Sequence, residues 1–149
     1  GEACHLIDVA VFLTGSYVDS VCMNNLGLEA EEDTDNASLM LKFKNGSNAI
    51  INYFSNGSKK YIKERVEVYS NCQTWILDNY QKTTGFGVKG FKNLKTRIDK
   101  GHKNQFLEYI DYIEQGKESP ITLKEVFNVS DAAFAAIDSM KSKVWEKIN

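Results

Sequence analysis

The run A-S-L-M-L-K-F-K-N-G-S-N-A-I-I-N-Y-F, from Ala37 to Phe54, decides the fold. Two strand-like segments, Ala37 to Phe43 and Ala49 to Phe54, flank Lys44-Asn45-Gly46-Ser47. Asn-Gly between two apolar runs signals a hairpin, because both positions of the favoured two-residue turn need positive φ. Upstream, Tyr17 to Met23 reads as a further strand with Val18, Val21 and Met23 among its apolar positions. Downstream, Arg65 to Tyr69 and Thr74 to Leu77 read as a second hairpin around Ser70 to Gln73, with Asp78 to Thr84 continuing as an edge strand. No stretch between Tyr17 and Leu77 leaves room for a crossover helix, so the sheet is expected to be largely antiparallel.

Helical spacing appears on both sides of the strands. The opening run G-E-A-C-H-L-I-D-V-A-V-F-L-T-G places Ala3, Leu6, Ile7, Ala10, Val11 and Leu13 at helical intervals, with Gly15 as a C-terminal stop. Lys103 to Gln115 puts Phe106, Tyr109, Ile110 and Ile113 on one stripe, and Gly116 ends it. Ahead of it, His102 reads as a capping or surface residue. Thr122-Leu123-Lys124-Glu125 is a capping box, and the helix it starts carries Val126, Val129, Ala133, Ala136, Ile137 and Met140 to about Lys141. Val144 to Asn149 forms a last turn or strand. The expectation is a single α+β domain over residues 1–149, a largely antiparallel open sheet with helices packed on one face.

Composition limits the partners. With 149 residues, 42% hydrophobic and 26% charged, the chain has ordinary globular usage and enough length to bury a core. A net charge of -2 gives no drive towards nucleic acid or an anionic membrane. No apolar run nears the ~20 residues that span a bilayer, and no signal peptide is read. Cys4, Cys22 and Cys72 are odd in number and lack C-x-x-C spacing, so neither a disulfide framework nor a zinc site is indicated, and a cytoplasmic location fits. The acidic stretch from Leu26 to Asp35 reads as a solvated loop rather than a metal site. Asn36, Asn45, Asn56 and Asn128 each begin an N-x-S sequon, which matters only in a secreted protein.

Three stretches are candidates for chemistry. His5 and Asp8 lie three residues apart, close to one helix face, flanked by Glu2 and Cys4. They are either a titrating group at a cleft edge or a hydrogen-bonded helix histidine and its partner. Ser55 to Lys63 is a polar loop in which Lys59, Lys60, Tyr61 and Lys63 either bind substrate hydroxyls or phosphates or serve solubility. Gly85-Phe86-Gly87-Val88-Lys89-Gly90 matches G-x-G-x-x-G, but a polar segment precedes it and a basic, poorly helical one follows. A dinucleotide fingerprint must leave a buried strand and open a helix, so the glycines read as a flexible loop instead. Tyr53, Tyr69 and Trp75 are candidates for an outward sheet face that meets a partner; the alternative is that they are core and the register is shifted by one.

Taken in order, the opening run, D-N-A-S-L-M-L-K-F-K-N-G-S, I-N-Y-F-S-N-G-S-K, E-R-V-E-V-Y-S, W-I-L-D-N-Y, G-F-G-V-K-G-F, D-K-G-H and A-A-F-A-A-I-D-S resemble the second domain of the Gfo/Idh/MocA oxidoreductases. The branch fused to a zinc-type alcohol-dehydrogenase-like region is the most similar. The resemblance implies a C-terminal fold like those of dihydrodipicolinate reductase and glyceraldehyde-3-phosphate dehydrogenase, supplying the substrate site and an oligomer sheet. It implies a sugar-like small-molecule substrate and a homodimer through the sheet face. NAD or NADP is then bound by a Rossmann domain that this chain does not contain, and no cofactor is expected on these residues. The family's acid/base histidine maps onto His5. Many members carry Asp four residues before it, where this chain has Gly1, so Glu2 or Asp8 would orient the imidazole. The family's catalytic lysine belongs to the cofactor domain. The alternative function is a non-catalytic dimerisation or ligand-binding domain of the same fold.

Overall fold

Helix α1 (Ala3–Thr14) buries Ile7, Ala10 and Val11, one turn apart on a single stripe, and ends where Gly15 takes a φ of 59° and donates its N–H to the Val11 carbonyl. In this computed structural model, which describes residues 3–29 and 31–148, the chain divides into two compact units. The first comprises residues 1–56 and 121–149, the second residues 57–120.

In the first unit, strands β1 (Val18–Asn25), β2 (Asn36–Phe43) and β3 (Asn48–Phe54) form an antiparallel meander. A short β8 (Glu146–Lys147) adds to the far side of β1, giving the order β3-β2-β1-β8. Helix α1 and helix α3 (Leu123–Ser142) cover one face. Between them and the sheet lie Ile7, Val21, Leu39, Leu41, Phe43, Ile51, Val129 and Ala132. Each large aliphatic side chain buried there contributes about 1.5–3 kcal/mol. The capping box is present: Glu125 N–H donates to the Thr122 hydroxyl, and Thr122 N–H donates to the Glu125 carboxylate at 2.7 Å.

Two expectations need correcting here. The Asn45-Gly46 hairpin exists, but of the turn residues only Gly46 has positive φ (87°), and its N–H reaches back to the Phe43 carbonyl. The loop therefore has three residues, Lys44 to Gly46, and pairs Leu39 with Ile51 and Ala37 with Tyr53. Tyr53 consequently lies on the helix-covered face, while Met40, Ile50 and Phe54 face outward. The buried face of α3 is also rotated from the apolar stripe expected: Asn128, Ala132 and Ser139 are buried, whereas Val126 is exposed. Small residues let the helix approach closely, and the two polar ones bond to β1. Asn128 takes both backbone groups of Val18, and Ser139 Oγ accepts from Met23 N–H at 3.2 Å.

The second unit holds β4 (Arg65–Ser70), β5 (Gln73–Asp78), β6 (Lys82–Phe86), β7 (Asn93–Lys95) and helix α2 (His102–Gln115). Its strands pair antiparallel in sequence order, so the strands of the described residues fall into two four-stranded sheets rather than one. The hairpin expected around Ser70 to Gln73 is present, and Asn71-Cys72 turns β4 into β5 with positive φ at both residues. Asp78 to Thr84 is not one edge strand: Asn79 and Tyr80, both at φ 50°, reverse the chain, and β6 lies between β5 and β7. Tyr69 is exposed beside Glu67, whereas Trp75 is half-buried and packs on Phe91 with ring centroids 5.0 Å apart. Gly101, not His102, caps α2, and His102 is its exposed first residue. No residue of α2 is buried, and Phe106 is 65% exposed. Periodicity located that stripe but did not supply its cover.

Candidate functional site

Of the candidates on α1, Glu2 lies outside the described residues. His5 is exposed and Asp8 half-buried. The burial of Ile7, Ala10 and Val11 turns positions 5, 8 and 12 to the opposite side, one or two turns apart on the same stripe. The stripe ends in Phe12, which is 83% exposed. Among the described residues no hydrogen bond joins His5 to Asp8, so the imidazole is presented to solvent rather than tied into the fold.

Lys60, Tyr61 and Lys63 fall in the second unit and are all exposed. A turn holds their backbone: Tyr61 N–H donates to the Ser58 carbonyl at 3.0 Å and Lys60 N–H to the Ser58 hydroxyl at 3.3 Å. Lys63 also pairs with Glu64, Nζ to Oε1 at 3.8 Å, and Lys100 reaches the same oxygen at 3.4 Å. Glu64 is a residue that the sequence reading passed over. Its side chain is only 14% exposed, and its Oε2 is buried with no hydrogen-bond partner among the described residues. A single Glu among lysines carries no periodic signal that would have marked it.

A cavity of about 360 Å³ in the first unit is lined by Tyr17, Lys44, Leu123, Lys124, Phe127, Asn128 and Asp131, with Lys124 Nζ 4.8 Å from the Tyr17 ring centre. None of the sequence-predicted site residues lines it. The α1 stripe is instead an open surface.

The glycine run is a structural device. Gly85 belongs to β6, where an added Cβ would come within 2.9 Å of the Phe91 ring. Gly87 leaves the strand at φ 71°, against the Cys72 carbonyl. No helix follows, so the residues do not fit a dinucleotide cradle. Among the described residues no group of three His, Cys, Asp or Glu side chains is placed to hold a metal ion, and no helix is long and apolar enough to cross a membrane.

Residues 2–73 match the family model described as the GFO/IDH/MocA C-terminal domain. That match covers just under half of the chain, and the solved structures that follow share its fold along nearly the whole length. Levoglucosan dehydrogenase in complex with NADH superposes with a TM-score of 0.82 at 15% identity, over 100% of this chain and 49% of that one. An oxidoreductase domain protein from Kribbella flavida gives 0.80 at 17%, over 100% and 49%. UDP-N-acetylglucosamine 3-dehydrogenase from Acidithiobacillus ferrooxidans gives 0.73 at 14%, over 93% and 45%. The chain therefore spans about half the length of these solved structures. No curated protein matches.

Proposed function

We propose that this chain is the substrate-side domain of an NAD- or NADP-dependent dehydrogenase that oxidises a hydroxyl of a sugar, polyol or sugar nucleotide. The observation that carries this reading is the exposed His5 on the outer stripe of α1. Oxidation of a carbinol requires a base to take the hydroxyl proton, and an imidazole is the side chain most often used for such a transfer. Exposure leaves His5 able to meet a substrate, and either Asp8, one turn on but not bonded to it here, or Glu2 is the carboxylate that would orient it. Phe12 on the same stripe gives an apolar surface for the remaining part of the protein to cover. Lys60, Tyr61 and Lys63 supply donors for hydroxyl or phosphate groups of the substrate.

The nicotinamide cofactor belongs to a Rossmann domain of the full-length protein, since the one glycine run here fits no cradle. A single α+β domain, a cytoplasmic location and a homodimer through the outward sheet face of the first unit complete this reading. The alternative, a non-catalytic dimerisation or ligand-binding domain, leaves His5 without a task.

The test is turnover of the full-length enzyme on a panel of sugars and polyols. His5→Ala should lower kcat by about 10²–10⁴-fold, the usual contribution of a general base, while a binding role alone would raise KM. Undiminished turnover in His5→Ala would remove the catalytic assignment and favour the scaffold.

A further inference from the structure

The tripeptide Asn-Gly-Ser occurs twice, at Asn45 to Ser47 and at Asn56 to Ser58. Asn-Gly bonds are prone to an internal reaction. The glycine amide nitrogen attacks Cγ of the asparagine, a new bond forms between them, the Cγ–Nδ2 bond breaks and ammonia leaves. Water then opens the succinimide to aspartate or isoaspartate. Glycine permits this because no side group shields its nitrogen and its backbone reaches unusual angles easily. The asparagine must first rotate to place its Cγ over that nitrogen.

Both asparagines are exposed, so access does not separate them. Hydrogen bonding does. The Asn45 amide is held at both ends: Nδ2 donates to the Thr14 carbonyl at 3.0 Å, and Oδ1 accepts from Ser47 N–H at 3.0 Å. The attacking nitrogen is held as well, Gly46 N–H donating to the Phe43 carbonyl at 3.0 Å. Asn56 follows the end of β3, and only its backbone is fixed, N–H to Asn36 Oδ1 at 3.2 Å. Among the described residues no hydrogen bond holds its side-chain amide.

We infer that Asn56 is a site of spontaneous deamidation in the folded protein and that Asn45, in the same tripeptide, is protected. The product places a carboxylate in a stretch, residues 55–63, whose charged residues are otherwise Lys59, Lys60 and Lys63. It weakens the attraction of that loop for an anionic ligand. An isoaspartyl product also adds a methylene to the backbone at the boundary between the two compact units, which falls between residues 56 and 57.

The experiment ages the full-length protein at mildly alkaline pH and maps its tryptic peptides by mass. Residues 45–59 form one tryptic peptide carrying both Asn-Gly pairs, so fragment ions read the two sites against each other in the same molecule. Two side-chain hydrogen bonds of ordinary net strength predict acid formation at Asn56 faster by about tenfold or more. In strong urea the two should react at similar rates, and Asn56→Gln should remove the folded-state product. Equal modification in the folded protein, preference for Asn45, or no reaction at Asn56 while urea releases both would each overturn the inference.

Discussion

Asn128 closes two hydrogen bonds on the backbone of Val18, 110 residues earlier in the sequence: its Oδ1 accepts from Val18 N–H at 2.8 Å and its Nδ2 donates to the Val18 carbonyl at 3.0 Å. Val18 is fully buried at the start of β1, so neither group has water as a substitute. This one side chain fixes the start of α3 against the first strand.

Asn128→Ala should therefore cost more than an ordinary surface change. It leaves a buried donor and a buried acceptor without partners, and the free energy of unfolding in urea should fall by about 2–4 kcal/mol. A fall below about 1 kcal/mol would mean that water replaces both bonds and that the side chain is not a tie.

The same residue marks the limit of what the sequence discloses. Elements governed by local chemistry are legible: the Thr122–Glu125 box, the Gly15 and Gly116 stops, and the turns at Gly46 and Asn71-Cys72. Asn128 and Ser139 are not, because a polar letter inside an apolar period reads as solvent-facing until its partner is known. Tyr53 shows a second limit. A two-residue Asn45-Gly46 turn would pair Ser38 with Tyr53 and turn that ring outward; the three-residue loop pairs Ala37 with Tyr53 and turns it inward. Ala49, Ile51 and Tyr53 alternate with Ile50, Asn52 and Phe54, so apolar pattern alone cannot choose the face. For the candidate site, the residue types and the exposed stripe of α1 are legible, but the buried Glu64 oxygen is not.

Acid should weaken the cap of α3. Hydrogen bonds from the Thr122 N–H, and then from its hydroxyl, hold the Glu125 carboxyl below its ordinary value of 4.5. A depressed folded pKa contributes stability that is complete above the unfolded value and lost as pH falls through the folded one. Thr122→Ala should cost about 1 kcal/mol near neutrality. Glu125→Ala should be destabilising there too, with its deficit shrinking on acidification well below pH 4.5. A deficit independent of pH in urea titrations would show that the carboxylate plays no part.

The glycine run supplies a comparison between two residues with nearly the same backbone. Gly87 and Gly90 have φ of 71° and 79°, so alanine at either position carries the left-handed penalty of about 1–2 kcal/mol. At Gly90 the new Cβ meets nothing within 4 Å, whereas at Gly87 it would stand 2.8 Å from the Cys72 carbonyl oxygen. Gly87→Ala should be the more destabilising of the two by denaturation. Equal losses would mean that the β4–β5 turn yields without cost.

The outward face of the first unit leads to an expectation for assembly that differs from the one built on Tyr53. Facing away from the helices, Met40 lies across from Ile50, which is 67% exposed, and Phe54 lies further along β3; Asn48, Asn52 and Ser38 surround them. Water tolerates one open face of an antiparallel sheet when that face is polar, and this apolar group is what a two-fold copy would cover by an isologous contact. A stable contact needs more than about 1,000 Å² buried in total, which requires most of the face rather than one residue. Ile50→Glu places a charge at the centre of that patch without touching the core. Sedimentation of the full-length protein should show a dimer that the substitution shifts towards monomer by about tenfold or more in dissociation constant. Tyr53→Glu, by contrast, should reduce stability, because its ring lies on the covered face. An unaltered dimer in Ile50→Glu would place the contact elsewhere.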